Sequence, residues 1–231
     1  MNKITICACS SRTFIRKETV ARLAASAQKA GVQVELVDDM CEMCEDKAEA
    51  VHEVAKSVIC ACHVRAVKSL MAFVGEDNVE HIDLRGDDAM VRTQLDEKMA
   101  SAWDGVTEGE MAEWLTKLDA MPRKLGEDAW YPTIDKNVCC ECGKCLEFCP
   151  FGVYEMVDDR IRVVHPHHCK NNCPACARTC PASAIIFPKY DRSPINGGEE
   201  KQEQAVQLDT KTLYNETFRQ KLALRKLKIE K

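Results

Sequence analysis

No apolar run in these 231 residues reaches the roughly 18–20 needed to cross a bilayer, so no membrane span is expected. Ile4-Thr5-Ile6-Cys7-Ala8-Cys9 is too short for a signal core, which takes ~7–15 apolar residues. Ser11-Arg12-Thr13-Phe14-Ile15-Arg16-Lys17 lacks the paired arginine of a twin-arginine export signal, and Glu18 and Arg22 interrupt the apolar run that should follow. A cytoplasmic location is therefore expected. There is no excess of basic residues either: the net charge is −5, which gives no electrostatic footprint for nucleic acid. No G-x-G-x-x-G follows a strand, and no nucleophile–base pair or nucleotide loop is apparent, so substrate chemistry by this chain alone is not expected.

What the chain does have is cysteine, 15 residues of it. The odd number and the C-x-x-C clustering argue against a fully paired disulfide framework and for metal or cluster ligation in a reducing compartment. Eight cysteines fall in two runs, Cys139-x-x-Cys142-x-x-Cys145-x-x-x-Cys149-Pro150 and Cys169-x-x-x-Cys173-x-x-Cys176-x-x-x-Cys180-Pro181. Thiolates at these spacings, closed by Pro, match the pattern for two [4Fe–4S] clusters, in which the fourth Cys of each run serves the other cluster. Cluster I then takes Cys139, Cys142, Cys145 and Cys180, and cluster II takes Cys169, Cys173, Cys176 and Cys149. A zinc module is the competing reading, but four-ligand zinc sites do not need two interlocked runs ending in Pro.

The region is also an internal repeat, since Cys149-Pro150-Phe151-Gly152 echoes Cys180-Pro181-Ala182-Ser183. Residues 130–134 and 184–187 are expected as outer strands. Residues 153–157 and 160–164, joined at Asp158-Asp159, are expected as a hairpin between the halves. Over about 55 residues this part resembles bacterial-type two-cluster ferredoxins. The resemblance implies one-electron transfer by iron–sulfur centres, of the kind used in anaerobic metabolism. The spacing departs from the usual one at Cys169-Lys170-Asn171-Asn172-Cys173, which has an extra residue. Asn tolerates left-handed backbone, so Asn171-Asn172 is expected to absorb it. Cys140 lies outside the ligand spacing and reads as a packed or exposed thiol. His165, His167 and His168 read as a solvated loop beside cluster II.

Residues 1–85 alternate strand and helix: strands at 3–8, 32–37, 57–61 and 79–82, helices at 13–30, 45–55 and 65–74. That pitch implies a small parallel sheet with helices on its faces and little exposed strand. Ile6-Cys7-Ala8-Cys9-Ser10-Ser11-Arg12 and Ile59-Cys60-Ala61-Cys62-His63-Val64-Arg65 share I-C-A-C-x-x-R, each at a strand's carboxyl end, and Cys41-Glu42-Met43-Cys44 follows the second strand. In open α/β sheets those ends form the ligand crevice. Cys7 and Cys60 should stay in the sheet, while Cys9, Cys41, Cys44 and Cys62 converge as ligands of a third [4Fe–4S] cluster. Arg12 and Arg65 either support that anionic cluster or form surface salt bridges. A four-Cys zinc site, a Cys41–Cys44 redox dithiol and plain packing of buried thiols remain open for the same residues.

Carried by the early C-x-C, Met40-Cys41 and Ala61-Cys62-His63-Val64-Arg65, this part resembles the amino-terminal cluster domain of the heterodisulfide reductase A subunit family. His63 stands where that family usually has Ser or a similar residue, and the family's flavin-binding domain has no counterpart here. The expected layout is α/β plus α+β: a Rossmann-like cysteine-containing domain at 1–85, a helical linker at 86–128, the two-cluster ferredoxin domain at 129–190, and a loop and helical tail at 191–231. Residues 219–231 hold six Lys or Arg and one acid. They read as a solvated helix or as a docking element for an acidic partner. The expected partner is a redox protein or flavoprotein oxidoreductase. The alternatives to a carrier are an iron–sulfur subunit of a heterodisulfide-reductase-like complex and an iron–sulfur redox sensor.

Overall fold

The computed structural model describes residues 3–12, 14–99, 102–122 and 129–199, all within the compact unit Met1–Glu199. The basic run at 219–231 lies outside the described residues. The first elements are β1 (Lys3–Cys7), α1 (Lys17–Lys29), β2 (Gln33–Val37), α2 (Met40–Glu45), α3 (Ala50–Ala55), β3 (Val58–Ala61), α4 (Val64–Phe73) and β4 (His81–Asp83). The four strands form a parallel sheet in the order β2-β1-β3-β4, with Ile6 paired to both Leu36 and Cys60. The chain moves from β1 to one side for β2 and to the other for β3, so the strand order reverses between β1 and β3. That reversal opens the crevice where parallel sheets bind ligands.

Ile4, Ile6, Ile59 and Cys60 are fully buried, as expected for strands covered on both faces. β2 is only partly buried, because it is an edge strand and Gln33 and Glu35 reach solvent. The helix expected at 45–55 is two short ones. Asp39 caps α2 early, its Oδ1 accepting the N–H groups of Cys41 (3.0 Å) and Glu42 (3.4 Å), and Lys47 then turns the chain at φ +49°. Cys41 and Cys44 are therefore helical and one turn apart, on the same face.

After the sheet come α5 (Asp88–Lys98) and α6 (Glu108–Asp119). α6 opens with a complete capping box between Thr107 and Glu110. Trp103, Trp114 and Leu118 are buried in the same core as the sheet, and Trp114 Nε1 donates to Gln28 Oε1 on α1 at 3.0 Å.

The cysteine-rich part contains β5 (Thr133–Ile134), α7 (Lys144–Phe148), β6 (Tyr154–Val157), β7 (Arg160–Val163), α8 (Ala175–Thr179) and β8 (Ile185–Ile186). β5 and β8 pair antiparallel through Thr133–Ile186 and Ile134–Ile185. This pairing is shorter than expected, because the Phe187 N–H turns away to the Ile195 carbonyl (2.7 Å); the Trp130 and Phe187 rings stack at 5.2 Å beside it. The β6–β7 hairpin turns on Asp158 and Asp159, both left-handed (φ +50° and +57°), as a two-residue hairpin turn requires. The repeat is visible in the backbone. α7 and α8 are each five residues long, starting one residue before the third Cys of a run and ending just before the fourth, and Gly152 and Ser183 are both left-handed (φ +66° and +49°).

The two parts of this unit are laced together. Ser69 on α4 hydrogen-bonds Thr133 (2.8 Å), Arg65 pairs with Asp135 (2.9 Å) and donates to the Ser183 carbonyl, and Tyr131 donates to the Cys41 carbonyl (2.8 Å). The chain after β8 returns to α4, where Gly197 sits at φ +87° so close that a Cβ would lie 2.6 Å from the Ala66 nitrogen. Gly197→Ala should therefore lose about 1–3 kcal/mol from strain alone. A denaturation curve of the full chain that matches wild type would contradict this contact.

Candidate metal centres

All 15 cysteines are free thiols. In the C-terminal part they sort into two groups that each draw on both runs. Cys139 and Cys145 face the charge of Cys180, while Cys169 and Cys176 both face Cys149 and Cys173. Cys180 thus lies near Cys139 and Cys145 of the first run, and Cys149 near Cys169 and Cys176 of the second. Cys145 also faces Cys176, so the two groups adjoin.

Burial pushes the Cys145 and Cys169 thiols up to about 12 and Cys176 up to about 11. Cys142 is exposed and shifts the other way, chiefly through the Lys144 N–H. Buried thiols stay protonated at neutral pH unless a positive partner replaces the lost water. Iron would supply that charge, and thiols in a largely apolar shell are suitable donors for it.

The surrounding donors are specific. Tyr154 Oη donates to Cys176 Sγ at 3.1 Å, and the Ala184 N–H donates to Cys180 Sγ at 3.3 Å. Asn172 is left-handed (φ +58°), so it absorbs the extra residue of the second run. Its Oδ1 accepts from Arg12 Nη2 at 3.2 Å, tying the long loop to the N-terminal part. Cys140 and the three histidines are exposed; His167 lies 3.5 Å from Glu45 and 3.7 Å from Asp46.

At the β1–β3 crevice, a cavity of about 20 Å³ is lined by Cys7, Cys9, Cys41, Cys62 and Lys189 among others. Cys44 is fully buried one turn beyond Cys41 and faces the charge of Cys62, which in turn faces Cys9. Burial pushes Cys44 and Cys62 to about 12. Cys9 leaves its strand with φ +51°, a conformation rare for a residue with a side chain. The three sequence-remote groups thus meet at one sheet edge.

Cys60 stays within β3, as expected. Cys7 is in β1, yet it also lines the cavity and its Sγ accepts the Met40 N–H at 3.5 Å. Arg65 is engaged with Asp135 and Ser183, the salt-bridging role considered for it. Among the described residues, no three His, Cys, Asp or Glu side chains close tightly enough to hold a single metal ion.

One functional candidate escaped sequence reasoning. Lys189 is only 3% exposed, and its ammonium donates to Asp39 Oδ2 (2.5 Å), Ser11 Oγ (2.6 Å) and Cys9 Sγ (3.7 Å). Burial works against its charge, Cys41, Cys9 and Asp39 push its pKa up, and the ammonium forms a buried ion pair with Asp39. In the sequence Lys189 only follows the apolar stretch Ala184-Ile185-Ile186-Phe187-Pro188, which gives no sign of a site.

No family model matches the chain. An uncharacterized ferredoxin of Methanocaldococcus jannaschii is 45% identical over 67 residues, which are 29% of this chain and 46% of that protein. Ferredoxin-3 of Nostoc sp. is 33% identical over 93 residues, 31% of this chain and 90% of that protein. The chain belongs to the ferredoxin family. The matched part is a ferredoxin-type iron–sulfur domain. The chain is also similar to the pyruvate synthase subunit PorD of Methanothermobacter marburgensis, 37% identical over 54 residues, 23% of this chain and 60% of that protein. It spans about half the length of the first of these relatives. No helix among its described residues is long and apolar enough to cross a membrane.

Tyr154→Phe removes the hydroxyl donor to Cys176 and keeps the ring. Losing a hydrogen bond to a ligand sulfur should make the associated centre harder to reduce, and should cost about 1 kcal/mol of stability. Redox titration followed by paramagnetic resonance checks this; an unchanged or raised potential would contradict the assignment.

Proposed function

We propose that this ferredoxin carries two [4Fe–4S] clusters in its C-terminal part and a third in its N-terminal α/β part. The first is held by Cys139, Cys142, Cys145 and Cys180, the second by Cys169, Cys173, Cys176 and Cys149, and the third by Cys9, Cys41, Cys44 and Cys62. When bound, such clusters take up and release single electrons. The observation that carries this reading is the convergence of the N-terminal thiols at the β1–β3 crevice, inside the same packed unit as the two crossed C-terminal groups.

The neighbours of the second group support an order. Cys169 packs in both hydrophobic cores, and it faces the charge of Glu45 at the end of α2. Tyr131 is bonded to the Cys41 carbonyl, with its ring tilted against Phe73 at 5.5 Å. Cys142 of the first group is exposed and suited to exchange with an outside partner. The protein thus works as a relay from its surface to the N-terminal crevice.

The layout in this reading is 1–85 for the α/β domain, 86–128 for the helical segment, 129–190 for the two-cluster domain and 191–231 for the loop and tail. The N-terminal part is akin to the cluster domain of heterodisulfide reductase A subunits. Thiolate ligands favour a cytoplasmic, reducing setting. The partner is a redox protein or flavoprotein oxidoreductase. A role as a subunit of such a complex is the second reading, favoured by the similarity to a pyruvate synthase subunit.

Iron analysis of the anaerobically purified full chain should give about twelve irons, falling to about eight in Cys9→Ser and in Cys44→Ser and staying near twelve in Cys7→Ser and Cys140→Ser. About eight irons in the wild type would remove the N-terminal cluster. Loss in Cys7→Ser but not in Cys44→Ser would exchange those two residues in the ligand set.

A further inference from the structure

We infer that Lys189, delivered by the ferredoxin part, is a positioning residue that sets the reduction potential of the N-terminal centre. The inference rests on the third cluster proposed above. A lysine ammonium has three N–H groups, and Lys189 has three acceptors: Asp39 Oδ2, Ser11 Oγ and Cys9 Sγ. Ser11 Oγ also donates to Asp39 Oδ2 at 2.6 Å, and Asp39 Oδ1 holds the first turn of α2, which carries Cys41 and Cys44. Lys189, Asp39 and Ser11 are 3%, 2% and 3% exposed. One buried cation therefore touches the loop that bears Cys9 and, through Asp39, the helix that bears two more ligands.

An isolated buried ion pair is weak evidence for stability, since removing water from both charges offsets much of their attraction. The direction of the third N–H points to a different role. It is aimed at a sulfur, and Lys189 also lines the cavity shared by Cys7, Cys9, Cys41 and Cys62. Reduction adds one electron from an external low-potential donor and so one negative charge to this enclosure, beside the Lys189–Asp39 ion pair. A fixed positive charge and a hydrogen bond at a ligand sulfur favour the more negative state. Asp39 acts in the opposite sense, because its carboxylate faces the same sulfurs. Lys189 lies three residues past β8, so the charge reaches the crevice only when the ferredoxin part is packed against the sheet. The potential of the N-terminal centre is thereby tied to that packing.

The test is a redox titration of the full-length, cluster-loaded protein, each centre followed by its own paramagnetic signal. Lys189→Met should lower the reduction equilibrium constant of the N-terminal centre at least tenfold, which is about 59 mV for a one-electron couple, while both ferredoxin centres stay in place. Lys189→Arg should restore most of it, and Asp39→Asn should move it the other way. If Lys189→Met does not fold, the double variant with Asp39→Asn is compared with Asp39→Asn alone, and the same downward shift is expected. An N-terminal potential indifferent to Lys189, or an equal shift of all three centres, would overturn the inference. Wild-type protein with about eight irons would instead overturn the third cluster itself, so the two failures are read from different measurements.

Discussion

The rest of this structure depends on how sulfur is kept where water is not. A thiolate out of water needs positive charge or hydrogen-bond donors close by, and otherwise takes up a proton. Burial drives the thiols of Cys44, Cys62, Cys145 and Cys169 up to about 12. No disulfide relieves them. The fold answers with local donors: Tyr154 and the Ala184 N–H in the ferredoxin part, the Met40 N–H and Lys189 at the sheet edge. Iron would supply the remaining charge.

That constraint also explains why the two parts share one compact unit. The sheet alone presents sulfurs beyond three separate strand ends, with Arg85 after β4 acting on Cys9 and Cys62. The cation hydrogen-bonded to a sulfur, Lys189, comes from the loop after β8, and the seam that brings it there is built from Arg65 with Asp135, Ser69 with Thr133, and Tyr131 with the Cys41 carbonyl. Gly197 closes the same loop onto α4. Electron transfer falls off with separation, so a seam that locks neighbouring cysteine groups serves function as well as stability.

Much of this was legible in the sequence because cysteine spacing, Pro and strand ends are local signals. The crossed grouping of Cys149 and Cys180, the left-handed Asn172, the Asp158-Asp159 turn and the meeting of Cys9, Cys41 and Cys62 all follow from patterns within a few residues or from the rule for parallel sheets. The split of α2 from α3 was hidden, because the cap at Asp39 outweighs the helical composition that continues to Ala55. The place of Cys7 at the cavity was hidden too, since a strand residue near its carboxyl end can face either the core or the crevice. Lys189 had no readable signal: its acceptors are at least 150 positions away in the chain, and only the packed fold brings them together.

Crystals grown without oxygen and measured across the iron and zinc absorption edges test the central claim most directly. The account predicts iron peaks at both crossed ferredoxin groups and a further iron peak at the carboxyl ends of β1 and β3, beside Lys189. A crevice with no iron peak, or one whose signal follows the zinc edge, would contradict it.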